Sequence, residues 1–476
     1  MTHQISDNLE KNKLEKLNYL STRVDKKEII QELHSCIVFY KEVFNKILEN
    51  ENEIMFYYTN KNIPHPLHFE LGHVIHFFEY HFLGNTKKYS NIKTEKKELL
   101  NKISRSNNFD SLINKPHQRS ENYVYSFKEQ LNYAVEVLGD IRNELELYPD
   151  DLLSPLDTYI LKLCLLHYEM HKEVIYFITN QQHIELPLTL ENKNVNYKEI
   201  SNLCIQNDWI YINTEGNNSI DIGCSRNQNT ENRILIFDNE CPSNMKNVGS
   251  FYCQKYPVTY GEYIQFINNG GYTNKDYWTF EGWKWREENK LCHPINLIYK
   301  NDECKWYRKH FNKIIELDYE LPVVHVSHYE ATAYAKYMDA RLICEEEYVY
   351  LTTNGGVTEY PWGNNRDIQE YCNSDYINSD VIKVNNELHK NGSNKWSVYG
   401  LMGDCWYWTS SRFAPFDGFT IDPIYDTFSY PFFYDRFIVK GSSWCMSKDL
   451  VYSKYRNSQE PDKCFHFTGI RLCKDV

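Results

Sequence analysis

The stretch LLHYEMHKEVI (165–175) sits inside SPLDTYILKLCLLHYEMHKEVIYFITNQQ (154–182), and its reading decides how the first part of the chain folds. Apolar residues recur at helical spacing. Ser154 suits an N-cap and Pro155 the position after it. On such a helix His167 and His171 are one turn apart and share a face, continued by Cys164 and Val174. Two neutral imidazoles on an otherwise apolar stripe make good ligands for a borderline divalent metal. The same pair also suits a packed bundle in which each imidazole bonds a nearby carbonyl. The metalloprotease signature HExxH is absent, because the acidic residue, Glu169, stands in the third position rather than the second.

Three more segments before residue 150 share this grammar. They are KKEIIQELHSCIVFYKEVFNKIL (26–48), HPLHFELGHVIHFFEYHFL (65–83) and SFKEQLNYAVEVLGDIRNELE (126–146). Pro66 suits the first turn of the second. Four long helices predict an antiparallel bundle. The 65–83 segment carries histidines at 65, 68, 73, 76 and 81. Leu71, Ile75, Phe78 and Phe82 form its main apolar stripe. Phe69, His73, His76 and Tyr80 lie nearly opposite, and a face that is half aromatic and half imidazole predicts a second buried contact. Spacing leaves both His73 and His76 open as a third ligand. Three imidazoles on one metal leave about three octahedral positions, the arrangement of non-haem iron oxygenases that keep sites open for O2 and substrate. Zinc would be closed or hydrolytic.

A chain of 476 residues predicts two or three domains. A net charge of −13 argues against a broad nucleic-acid footprint, which needs a basic surface. The 14 cysteines include no CxxC pair, which weakens a structural zinc site. No apolar signal region and no run of about 18 apolar residues is visible, so neither secretion nor a membrane span is expected. The expectation is a cytoplasmic protein with reduced thiols, without nucleic-acid or membrane partners.

After about residue 190 the composition turns to Gly, Asn, Asp, Trp and short β-type runs: WIYINTE, ILIFDN, LPVVHV and RFIVKGSSW. Only 329–340 and 343–353 read as clearly helical, and 266–320 and 355–400 read as long loops. The fold class expected is α+β with two domains, 1–190 helical and 191–476 mixed and irregular.

Several phrases of the second half occur in a telling order: YPVTYGEYIQFINNGGY (256–272), EGWKW (281–285), LPVVHVSHYEATAYAKYMDARL (321–342), YPWGN (360–364), WSVYGLMGDCWYWTSS (396–411), VKGSSW (439–444) and KYRNSQEPDKCFHFTGIRL (454–472). Together they resemble the formylglycine-generating-enzyme fold, a C-type-lectin-like domain. LGH (71–73) and HYEMH (167–171) resemble the DinB-type four-helix bundle. The pairing is similar to the iron-dependent sulfoxide synthases of ergothioneine and ovothiol biosynthesis. That resemblance implies Fe(II) held by His73, His167 and His171, and O2-dependent joining of a thiol sulfur to an imidazole carbon. It also implies a proton- or hydrogen-relaying tyrosine at Tyr425, in IDPIYDTFSYPFF (421–433), with Phe428 of the same segment on the substrate side. Small-molecule thiol and imidazole substrates and O2 are the partners it implies.

This chain departs from the family pattern at several positions. GNVWEWTSS reads GDCWYWTSS and RLPTEAEW reads RLICEEEY. The cysteine pair of formylglycine-generating enzymes has no match. Where ergothioneine-type enzymes place a glutamine before the last ligand, to seat the imidazole substrate, this chain has Met170, as ovothiol types do. Their RNW-acid phrase appears as RNSQEP: Asn457 is kept, while Ser458 and Gln459 replace the aromatic and the carboxylate. A lost aromatic removes a cation–π contact of roughly 0.5–2 kcal/mol to a trimethylammonium group. The loop 114–122 offers Arg119 where γ-glutamylcysteine types use paired arginines, which favours free cysteine. The reading is oxidative C–S bond formation between cysteine or γ-glutamylcysteine and histidine or hercynine. A related non-haem iron oxygenase on another thiol, a selenol or a specialised metabolite is one alternative. A non-catalytic metal-binding protein is the other.

Overall fold

Ile29, Leu33, Cys36, Tyr40, Val43 and Ile47 recur every three or four residues and are buried, so Lys26–Leu48 is a helix with one apolar face (α1). The computed structural model describes residues 22–48, 66–83, 109, 126–182, 207–226 and 235–476. Leu67–Phe78 (α2) runs directly into a π-helical turn, Glu79–Leu83. Pro66 precedes α2 at its N-cap rather than lying in its first turn. Phe127–Glu146 (α3) opens on a capping box: Ser126 Oγ accepts from Glu129 N–H while the Glu129 carboxylate accepts from Ser126 N–H. Pro155–Gln181 (α4) opens on Ser154, whose Oγ accepts from Asp157 N–H at 3.1 Å. Helix α1 packs on α3, and α2 packs on both α3 and α4. Each fully buried Leu, Ile or Phe at these contacts contributes about 1.5–3 kcal/mol.

The chain divides into two compact units. The first takes Met1–Pro187, Arg226–Ile236 and Ile421–Asp426; the second takes Leu188–Ser225, Phe237–Thr420 and Thr427–Val476. Two short segments from beyond residue 190 therefore belong with the helices.

In the second unit the strands are short. One sheet has Trp209–Ile212 (β1), Phe251–Gln254 (β4), Leu472–Asp475 (β13) and Arg341–Leu342 (β8), in that order. Another runs Asn457–Gln459 (β11), Phe437–Lys440 (β10), Trp406–Arg412 (β9) and Thr468–Gly469 (β12). Ser219–Asp221 (β2) pairs with Met245–Asn247 (β3). Leu297–Lys300 (β5), Lys305–His310 (β6) and Lys313–Glu316 (β7) form a three-stranded antiparallel sheet. Among the described residues five α-helices complete the unit: Tyr260–Asn268 (α5), Phe280–Glu288 (α6), His328–Tyr337 (α7), Glu345–Thr352 (α8) and the short Glu387–Asn391 (α9).

The phrases quoted from this half supply packing partners to one another. Arg471 is fully buried and donates to the carbonyls of Gln254, Tyr399 and Gly400, at 3.1, 2.6 and 3.0 Å. Its guanidinium lies 4.9 Å from the Tyr407 ring. Trp408 donates through Nε1 to Val326 O at 2.8 Å. Arg456 is locked bidentately on buried Glu345, at 2.8 and 3.1 Å.

Three expectations need correction. The supposed loop 266–320 holds the whole β5–β7 sheet and α6. ILIFDN forms no strand among its described residues: Asp238–Glu240 is a 3-10 turn. LPVVHV is buried but not a strand, because His325 adopts φ +63° and breaks the extended run. Among the described residues no helix is long and apolar enough to cross a membrane, and the described cysteines are all free thiols.

Candidate metal centre

Helix α2 is buried on every side from Leu67 to Phe78, so its polar residues must find partners inside the unit. His73 faces α4. One donor atom from each of His73, His167 and His171 lies within 4.8 Å of the others. The ring centroids are 5.2 Å (His73–His167), 4.9 Å (His73–His171) and 4.2 Å (His167–His171) apart. His76 is also buried but stands outside this group. The geometry thus separates two histidines that spacing left equivalent.

Two of the three rings are oriented through Nδ1. His73 Nδ1 is 2.8 Å from Phe109 O, and a neutral ring donating there turns its Nε2 lone pair away from that carbonyl. His171 Nδ1 meets the Glu70 carboxylate, which is fully buried one turn before His73. His167 is 0% exposed, stacks on Phe77 at 3.7 Å, and has no hydrogen-bond partner for either ring nitrogen among the described residues. Burial, helped by the neighbouring His171, pushes His73 down to about 3. Burial likewise holds His167 well below the usual histidine range, with His171 and His73 adding to it. Both rings are neutral near pH 7 and offer lone pairs.

This donor set fits a borderline divalent ion. A buried polar atom left unbonded costs about 1–3 kcal/mol, and a metal on His167 would remove that cost. Glu70 should tune the site. For Glu70→Gln we expect Fe(II) affinity to fall by roughly 10–100-fold, measured by competition with a chelator. Gly72 explains the small residue in LGH: a Cβ there would collide with the Phe109 ring, whose backbone carbonyl orients His73. Gly-to-Ala inside a helix ordinarily stabilises by about 1 kcal/mol. At Gly72 the sign should reverse, to a loss of about 1–3 kcal/mol in denaturant unfolding, with weaker Fe(II) binding.

Tyr425 arrives on the segment Ile421–Asp426 of the same unit. Its ring centroid is 4.8 Å from Phe77, 5.8 Å from His167 and 6.0 Å from His81. Met170 is half-buried on α4, next to His171. Phe428 stacks on Phe237 at 4.6 Å in the second unit. Asn457, Ser458 and Gln459 form β11 there, with Asn457 Oδ1 accepting from Ser458 N–H at 2.7 Å. Arg119 lies outside the described residues. The structure therefore brings together His73, His167, His171 and Tyr425 in one unit and places Phe428 and the β11 residues in the other.

Tyr80 does not share the buried face expected for it. It is 62% exposed, because the π-helical turn from Glu79 changes the angular phase of the residues that follow. Sequence reasoning also missed Glu70, Phe77, Phe109 and Asp422. For Glu70 a signal existed: a lone carboxylate inside the apolar run HFELGHVIHFF has to be partnered if buried.

Residues 214–476, more than half the chain, match the family model described as "Sulfatase-modifying factor enzyme 1-like domain". The chain is 31% identical over 244 residues to the hercynine oxygenase of Mycobacterium tuberculosis, covering 50% of this chain and 56% of that protein. It is 31% identical over 249 residues to the hercynine oxygenase of Mycolicibacterium thermoresistibile, covering 50% and 54%. The formylglycine-generating enzyme of Mus musculus is 26% identical over 274 residues, covering 52% and 72%. The chain spans about half the length of the hercynine oxygenases it matches.

Proposed function

We propose, from the premise that this chain belongs to the sulfatase-modifying factor enzyme 1-like family, that it is a non-haem Fe(II), O2-dependent sulfoxide synthase. In this reading it joins the sulfur of cysteine or γ-glutamylcysteine to an imidazole carbon of histidine or hercynine. The observation that carries the reading is the cluster of His73, His167 and His171 with the Tyr425 ring beside it. The similarity to two bacterial hercynine oxygenases supports an oxygenase acting on a histidine-derived imidazole. We also assign the helical part to the DinB type and the rest to the C-type-lectin-like type, with a boundary near residue 190.

The balance of the reaction sets what the residues must do. Thiol, imidazole and O2 give a sulfoxide-bridged product and water. One oxygen atom ends on sulfur. The other leaves as water with the hydrogens of the S–H and C–H bonds that are broken. Sulfur and carbon supply four electrons and O2 takes them. Bound Fe(II) would supply the redox step and hold both organic partners close enough for an effectively intramolecular reaction.

The protein's own part is orientation, dryness and proton handling. Phe109 O and Glu70 fix the His73 and His171 rings. Phe77 covers one face of His167. The Tyr425 phenol gives or relays the proton needed as oxygen becomes water. Asn457, Ser458, Gln459, Phe428, Met170 and Arg119 are the substrate-side residues of the proposal. Ser458 and Gln459, in place of an aromatic and a carboxylate, favour a second reading on substrate alone: an imidazole without a trimethylammonium group, or another thiol.

Anaerobic reconstitution with Fe(II), exposure to air with each thiol and imidazole pair, and mass spectrometry test the reading. A coupled sulfoxide is expected. Sulfinate as the sole product would make the protein a thiol dioxygenase, and the absence of any thiol oxidation would overturn the oxygenase reading.

A further inference from the structure

The segment that delivers Tyr425 begins Asp422-Pro423-Ile424-Tyr425. Pro423 has no N–H, so Ile424 and Tyr425 hold the first amides the Asp422 side chain can receive. It receives both: Asp422 Oδ1 accepts from Ile424 N–H at 2.8 Å and from Tyr425 N–H at 3.0 Å. This is an Asx-type turn with its proline at the usual place. The other oxygen, Oδ2, accepts the Tyr159 hydroxyl, and Arg226 Nη2 lies 3.9 Å from it. Asp422 and Tyr159 are each 4% exposed. Tyr159 belongs to α4, eight residues before His167, which at helical rise is about 12 Å along the axis.

One buried carboxylate therefore binds the backbone of Tyr425 with one oxygen and the helix carrying His167 and His171 with the other. We infer that Asp422 is the positioning residue for Tyr425, holding the phenol in register with the imidazole cluster. The inference rests on the proposed role of Tyr425 for its catalytic consequence, but not for its structural one. Asp422 holds Tyr425 by its backbone amide, so it acts on the phenol through the loop. The Asp-Pro pair is its trace in the sequence.

The test uses Asp422→Ala, Asp422→Asn and Tyr159→Phe, each alone and with Tyr425→Phe. Amide exchange of Ile424 and Tyr425 is followed in the iron-free protein, Fe(II) affinity by chelator competition, and kcat and KM in the coupling reaction. Asp422→Ala should speed exchange at both amides by roughly 10-fold, as expected for a lost buried hydrogen bond. It should lower kcat by roughly 10–100-fold through misplacement of the phenol while KM and Fe(II) affinity stay within about twofold. Asp422→Asn keeps an oxygen for the two amides and should restore most of the protection and the rate. Combined with Tyr425→Phe, Asp422→Ala should cost nothing further in kcat, because the two act in series.

Unchanged exchange, a wild-type kcat, or losses that add in the double variant would each overturn the inference. If Asp422→Ala does not fold, Tyr159→Phe removes a single hydroxyl and must show faster exchange and a lower kcat. If the wild-type protein couples nothing, the proposed function fails, and exchange in the iron-free variants still decides whether Asp422 holds the loop.

Discussion

His167→Ala should abolish stoichiometric Fe(II) binding while leaving the iron-free protein folded. His167 is fully buried, stacked on Phe77 at 3.7 Å, and neither of its ring nitrogens has a hydrogen-bond partner among the described residues. In the iron-free protein, alanine loses packing but also removes an orphaned polar group worth about 1–3 kcal/mol, so the net change is smaller than for an apolar ring. With Fe(II) the balance differs. A ligand that binds only the folded state stabilises it by RT ln(1 + [L]/Kd), about 2.7 kcal/mol at a hundredfold excess over Kd. Wild type should gain that stabilisation on adding Fe(II) and the variant should gain none. Thermal melts with and without Fe(II), beside iron analysis of the desalted proteins, read this directly. Equal stabilisation of both proteins would remove His167 from the metal site.

Tyr425→Phe should separate metal binding from chemistry. Phenylalanine keeps the ring that contacts Phe77, His167 and His81, so packing and Fe(II) affinity should hold. Only the hydroxyl is lost. A positioned proton donor contributes typically 10²–10⁴-fold, and kcat for coupling should fall by about that factor with little change in KM for the thiol. Steady-state kinetics with product analysis checks this. A variant with wild-type coupling would make Tyr425 part of the wall and leave the proton to another group.

What the sequence revealed and hid follows from how each signal is written. Helix α4 announces itself through Ser154, Pro155 and the spacing of His167 and His171, which are local features. Helix α2 is buried on all sides, so no polar face marks which histidine faces which neighbour. The family resemblance pointed to His73, the histidine the structure groups with the other two; its role as a ligand rests on the proposal. The partners that orient the rings were illegible for another reason. Phe109 O and Glu70 act on His73 and His171 across separations of 36 and 101 residues, which no local pattern encodes, and the tie from Asp422 to Tyr159 spans 263.

Strand β6 shows the same limit in the fold. Its burial alternates cleanly along KWYRKH, but two of its inward residues are Arg308 and His310. Arg308 pairs with Asp380, far along the chain. An inward charged pair replaces the apolar alternation by which a strand is recognised. Helix α5 is short, and only its capping box, Thr259 with Glu262, marks its start.

The claim on which the account depends is that one ferrous ion is held by the imidazoles of α2 and α4. Anomalous diffraction at the iron absorption edge, from crystals grown anaerobically with Fe(II), tests it most directly. A single strong peak bonded by His73, His167 and His171 is expected. A peak elsewhere, or none at full iron loading in solution, would contradict it.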